Sequence, residues 1–150
     1  SWKDCQEFIK RLNALTGLNF CLPTEAQWEY AARGGNKSKG YKFAGSDDFS
    51  SVAWCSENSE KKPHPVMQKQ ANELGLFDMS GNVREWCQDY YGSYSSDVET
   101  NPQGPSNGYD HVYRGGCWGW YARECRVSYR SLGSPYHKGE GIGLRLCLIQ

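Results

Sequence analysis

Apolar positions change their spacing along the chain, and each change marks an element. Cys5, Phe8, Ile9, Leu12 and Leu15 recur every three to four residues, which puts them on one face of a helix. Ser1 to Asp4 opens that helix as a cap and Gly17 ends it. A second helix starts at Thr24, whose side chain can cap the amide of Gln27 while Gln27 reaches back. It runs to about Arg33, where Gly34 and Gly35 stop it. From Asn36 to Gly75 the pattern dissolves into polar residues, predicting a long surface excursion with one short extended piece near Val52, Ala53 and Trp54. Trp54, Val66 and Leu76 are the side chains expected to pin it down. A second loop, dense in Ser, Gly, Pro and Asn, covers Gly92 to Asp110. The last third reads as strands at His111 to Arg114, Arg126 to Arg130 and Ile142 to Ile149, separated by an exposed loop from Ser131 to Gly141. In the last strand Ile142, Leu144, Leu146 and Leu148 alternate with Gly143, Arg145 and Cys147, which predicts one core-facing side. Neither a repeat nor a domain boundary interrupts the chain, so the pattern predicts one loop-rich α+β domain.

Composition narrows this picture. A chain of 150 residues is the usual size of one domain with one core. Seventeen Lys plus Arg balance seventeen Asp plus Glu, so no global field favours nucleic acid, anionic lipid or an acidic partner. Gly (17), Tyr (10) and Trp (6) are abundant, as in a fold of short elements whose core is filled by aromatic rings. No apolar run is long enough for a transmembrane segment. Seven cysteines are an odd number and form no CxxC pair, so neither a zinc knuckle nor a complete disulfide framework follows. Cys5, Cys87 and Cys147 sit in apolar contexts and read as buried thiols. His64, His111 and His137 lie far apart without metal-ligand spacing, and His64, between two prolines, reads as a surface-loop residue. Neither a Ser-His-Asp order nor a phosphate loop is present, so no catalytic residue is assigned.

Four stretches carry a resemblance that spans nearly the whole chain. They are Leu22 to Gly35 (LPTEAQWEYAARGG), Gly75 to Cys87 (GLFDMSGNVREWC), Tyr113 to Trp118 (YRGGCW) and Gly143 to Leu146 (GLRL). In this order they resemble the formylglycine-generating enzyme (sulfatase-modifying factor) family. The resemblance implies a C-type lectin-like fold, α+β, with two helices, a small antiparallel sheet and long irregular loops. Members usually carry a further N-terminal portion before the position of Ser1.

The resemblance also implies two candidate metal chemistries. The family's enzymes hold copper on a cysteine pair shortly after the Arg-Gly-Gly turn, and soft thiolates are what Cu(I) requires. Here Trp120 stands where the first of that pair belongs and Cys117 takes the place of the turn's serine, so copper is not expected, and a sulfatase-activating oxidase of the same family is the alternative to a non-catalytic domain. Cys117 and Cys125 read as buried thiols or a disulfide. In the same family, a loop matching Asp78 to Glu85 binds Ca²⁺, which implies side-chain ligation by Asp78 and Glu85 with carbonyls such as those of Gly81 and Val83 between them. The alternative is that both carboxylates only accept hydrogen bonds. Arg84 replaces a tryptophan common in the family.

The segment from Trp118 to Glu140 has no core pattern outside its framework residues, and its Trp, Tyr and Arg side chains are the types that dominate interfaces. Trp118, Gly119, Trp120, Tyr121, Arg123, Glu124, Tyr129, Ser131, Tyr136, His137, Lys138 and Glu140 are therefore the candidate ligand-binding residues. The alternative for Trp120 and Tyr121 is core filling. The framework is also similar to the binding end of variable proteins made by diversity-generating retroelements. The expectation is a non-catalytic domain binding a protein or glycan, on a bacterial surface or in an envelope compartment.

Overall fold

A computed structural model describes residues 1–149. Both predicted helices form, and for the predicted reasons. Helix α1 (Trp2–Thr16) carries a capping box between Ser1 and Asp4 and ends on Gly17 in the left-handed conformation. Helix α2 (Glu25–Ala32) carries a second box between Thr24 and Gln27. The short strand β1 (Phe20–Cys21) joins them. The excursion after α2 contains α3 (Phe49–Val52) and β2 (Ala53–Trp54), and β2 pairs in parallel with β3 (Ser80–Gly81).

The main sheet has four strands: β4 (Arg84–Tyr90), β5 (His111–Arg114), β6 (Arg130–Gly133) and β7 (Ile142–Leu144), in the order β6-β5-β4-β7. β5 runs antiparallel to β4 and β6, while β7 joins β4 in parallel. Neighbouring residues of a strand point to opposite faces. Cys87 and Val112 meet Trp28 and Ala32 of α2, whereas Trp86 and Tyr113 meet Cys5 and Ile9 of α1, so the two helices cover opposite faces. A third cluster gathers Phe43, Val52, Ala53, Cys55 and Cys125 beneath the loops.

Several expectations need correction. The apolar face of α1 is only partly covered: Cys5 and Ile9 are buried, but Phe8 is 50% and Leu15 84% exposed. The strand expected at Arg126 to Arg130 begins at Arg130 instead. A tight 3-10 turn at Ala122–Cys125 and a hydrogen bond from the Val127 amide to the Lys42 carbonyl hold the preceding residues in a turn. The segment Ile142 to Ile149 divides into β7 and β8 (Cys147–Leu148), and β8 pairs with β1 rather than with the main sheet. Its alternation therefore builds no single core face: Ile142 and Leu146 pack inward, while Leu144 and Leu148 are 37% and 47% exposed. Cys147 is half-buried, and Val66 does not pin its loop. His64 is half-buried too, stacked on Trp54 with ring centroids 3.8 Å apart.

Candidate functional site

The candidate face is built on two loops held by one arginine. Arg84, at the start of β4, is buried and points its guanidinium between aromatic rings, 4.6 Å from the centre of Tyr113 and 4.3 Å from that of Trp120. It donates to the Tyr113 hydroxyl (3.1 Å) and to the Gly141 carbonyl (3.3 Å). The backbone repeats the pattern: the Arg84 amide donates to Gly141 O and the Trp118 amide to Asn82 O. One end of β4 thus ties the loop at Cys117 to Cys125 to the loop before β7. The sequence shows Arg84 only as a departure from the family's tryptophan.

Trp120 is half-buried, edge-on to Tyr113 and Tyr129, so it is neither free surface nor sealed core. Trp118 is half-buried as well, and its Nε1 lies 3.5 Å from the Glu140 carbonyl. Trp118, Trp120, Tyr129 and Glu140 are therefore brought together around Arg84. Tyr121, at 61% exposure, and Arg123 form an outer rim, and Gly119 is exposed between the tryptophans. Glu124 turns back to accept from the Tyr121 amide, which closes the 3-10 turn. Ser131 is half-buried in β6 opposite Tyr113. Tyr136, His137 and Lys138 are exposed on the other loop, and Lys138 forms an ion pair with Asp4 of α1 at 2.9 Å. That contact and the Ser1 cap hold the Asp4 carboxyl well below its ordinary pKa.

The thiols lie beneath this face. Cys117 and Cys125 are both buried. Cys125 shares its cluster with Cys55, and hydrogen bonding to Cys55 together with burial keeps the Cys125 thiol protonated far above its usual range. Burial likewise pushes Cys117 up. The contact with Cys125 lowers the Cys55 thiol, so of that pair Cys55 gives up its proton first. Gly116 is required here, since a Cβ at its position would lie 2.7 Å from the Cys125 sulfur.

The loop expected to bind Ca²⁺ is differently occupied. Glu85 is buried, and its two oxygens accept from Arg145 (2.8 and 2.9 Å) and from the Trp28 indole (2.7 Å). Asp78 accepts from the Met67 amide at 2.8 Å. The Gly81 amide donates to Gly115 O, and Val83 is half-buried. Asp78, Val83 and Glu85 nevertheless line one cleft, so the carboxylates that the resemblance assigns to the ion face the same space, with Glu85 shared with Arg145. Among the described residues, no three His, Cys, Asp or Glu side chains are grouped to hold a metal.

A buried charge network escapes the sequence reading. Arg114, whose side chain is fully buried, pairs with Glu25 and Glu29 at 2.5 Å, and Arg130 holds both Glu25 oxygens at 2.6 Å. Burial works against the Glu29 carboxylate, but Arg114 and Arg33 outweigh it and lower its pKa. The signal was present as Glu25 and Glu29 one turn apart on α2. Their partners come from β5 and β6, which no local pattern connects. Above the network opens a cleft of about 650 Å³ between α2 and the loop after β4, lined by Tyr30, Arg33, Tyr94 and Arg130. A second cleft, about 580 Å³, lies beside Glu85 and Leu144. None of the twelve expected ligand-binding residues lines either cleft.

The family described as the sulfatase-modifying factor enzyme 1-like domain matches residues 1–149. The chain belongs to this sulfatase-modifying factor family. Among relatives of this family domain, it is 36% identical to the chaperone protein LppX of Paenibacillus barcinonensis, over 83% of this chain and 48% of LppX. It is 35% identical to the formylglycine-generating enzyme of Streptomyces coelicolor, over 83% of this chain and 45% of the enzyme. Variable protein 1 of Treponema denticola superposes with a TM-score of 0.80 at 37% identity, over 86% of this chain and 47% of that one. The α+β, C-type lectin-like architecture expected from the motifs is the one observed. The chain spans about half the length of these relatives or less, and the relatives themselves differ in what they are named for, a chaperone protein, an enzyme and a variable protein. Among the described residues, no helix is long and apolar enough to cross a membrane.

Proposed function

We propose that this sulfatase-modifying factor domain is a non-catalytic binding module whose face is the Trp118 to Glu140 region, and that its partner is a protein or glycan surface. The observation that carries the reading is the construction at Arg84. Trp120 is half-exposed but held from behind by a guanidinium and two tyrosines, so it can contact a partner without losing much side-chain freedom. Tyr121 on the same loop and Tyr136 on the loop before β7 stand 61% and 66% exposed. A rigid aromatic centre with an adaptable rim is the composition of an interface hot spot. Trp120, standing where the family's copper enzymes carry the first cysteine of their pair, supports the non-catalytic part.

The likeness to Treponema denticola variable protein 1 favours a more specific form, a receptor whose rim residues are diversified while Arg84, Tyr113 and Trp118 stay as framework. The test is an array of glycans and bacterial surface proteins probed with wild type, Trp120→Ala and Tyr121→Ala. Binding that survives both substitutions unchanged removes this face from the function. Oxygen uptake on a cysteine peptide with added Cu(I) would instead restore the formylglycine-generating alternative.

A further inference from the structure

Strands β1 and β8 place two half-buried cysteines directly opposite each other, Cys21 against Cys147. The Ile149 amide donates to Asn19 O in the same register, so Cys21 and Cys147 fall at the next hydrogen-bonded pair of the ladder. Antiparallel partners at such a position have Cα atoms about 5.5 Å apart, which lies inside the range that a disulfide spans, roughly 4.4 to 6.8 Å. No other pair of the seven cysteines is opposed across a ladder.

This ladder needs reinforcement. Each strand has two residues, and the pair belongs to no larger sheet. Isolated two-stranded pairs are marginal in water. Leu148 and Ile149 are about half exposed and contribute little burial. Yet this ladder fastens the α1–β1 unit to the last strand, with Asn13 holding Phe20 at both its amide and its carbonyl.

We infer that Cys21 and Cys147 are a disulfide-forming pair that staples the N-terminal helix–strand unit to the C-terminal strand. In the exchange, a thiolate at one cysteine attacks a small-molecule disulfide and releases one thiol. The second cysteine then attacks the mixed disulfide and releases the other. Two protons and two electrons leave the protein, and the donor disulfide is reduced to two thiols. Half-burial leaves the pair open to such a donor, whereas Cys5, Cys55, Cys87, Cys117 and Cys125 are buried. The closed loop encloses nearly the whole chain, the case in which a cross-link restricts the unfolded state most. Burial pushes both thiols up, so bridging quickens as pH rises.

The folded chain is incubated with oxidised glutathione, alkylated after unfolding and cleaved with trypsin. Cleavage after Arg11, Arg33 and Arg145 leaves Cys21 and Cys147 each in a peptide with no other cysteine. The expected product is those two peptides joined, two hydrogens lighter than their sum, and separated by reductant. Reduction should also lower the guanidinium midpoint of the wild type while leaving that of Cys21→Ser unchanged. Recovery of Cys21 and Cys147 alkylated, or joined to other cysteines, overturns the inference, and the mapping on wild type decides it even if the variant does not fold.

Discussion

Replacing Arg114 with methionine tests how the domain holds charge in its interior. The substitution keeps roughly the same volume and removes a guanidinium with a fully buried side chain. Breaking a buried ion pair from one side costs about 3–5 kcal/mol, because the remaining charge stays desolvated. Here the abandoned groups keep other partners: Glu25 retains Arg130 on both oxygens, and Glu29 retains Arg33 at 2.7 Å. That moves the expectation to the low end. The Val127 carbonyl, which accepts from Arg114 at 2.7 Å, loses its side-chain donor and adds about 1 kcal/mol. The expected loss is therefore about 3–4 kcal/mol. Arg130→Met removes two bonds from Glu25 where Arg114→Met removes one, but its side chain is 16% exposed and Arg114 remains, so about 1–2 kcal/mol is expected. Urea denaturation followed by tryptophan fluorescence gives both numbers, and in thermal melts the Arg114 variant should fall by roughly 10 °C. A loss below about 1 kcal/mol for Arg114→Met, or equal losses for the two variants, would mean that the network is not what anchors α2 to the sheet.

Four further outcomes follow from individual contacts. Gly81→Ala places a Cβ 2.3 Å from the Trp54 carbonyl at a φ of +76° and should cost roughly 3 kcal/mol, whereas Gly17→Ala, at a φ of +69° with open space around it, should cost about 1 kcal/mol; equal costs in denaturation would refute the clash. His111 is buried between Trp2 and Tyr90, and burial lowers its pKa, so the unfolded chain binds the proton more readily. Its contribution is complete above the ordinary value of 6.5 and is lost as pH falls from there toward the folded value, and His111→Phe should flatten the thermal midpoint across that window. Excess calcium and a chelator should give the same melting temperature, because Arg145 occupies Glu85; a calcium-dependent rise would show an ion at this loop. Arg145→Met should create a need for a cation there, seen as a loss of stability that calcium partly restores.

The parts of the fold that were legible in the sequence are those set by neighbours along the chain. Both capping boxes, the glycine stop after α1 and strand β5 needed only local chemistry. Strand β4 was legible as a motif but not as a strand, because it is central, buried on both faces and opens with Arg84 and Glu85. A reading by polarity places those charges outside, whereas the fold satisfies them with Tyr113, Gly141 and Arg145 from distant segments. Arg145 also explains why the last strand breaks. Its side chain turns inward to Glu85 and the Phe77 carbonyl, which ends the alternation that Ile142 to Leu148 suggested. At the candidate site the aromatic composition was legible, but the grouping around Arg84 was not, since Trp120 is brought between Tyr113 and Tyr129 only by the tertiary fold.

Those same long-range contacts explain how the face could vary without endangering the core. Arg84 touches Tyr113, Trp120 and Gly141, and the backbone beside it holds Trp118, so the bases of both loops are fixed from a single point on β4. Gly119, Tyr121, Arg123, Tyr136 and His137 lie beyond that point and are exposed. Glu124 and Lys138 are exceptions, one closing the 3-10 turn and the other paired to α1. Substitutions at the first group should leave the melting temperature within a few degrees of wild type, since surface changes rarely exceed about 0.5 kcal/mol, while Arg84→Leu should loosen both loops at once. The proposed binding role needs that separation between a supported base and a replaceable rim, and here it runs between residues that Arg84 reaches and residues that it does not.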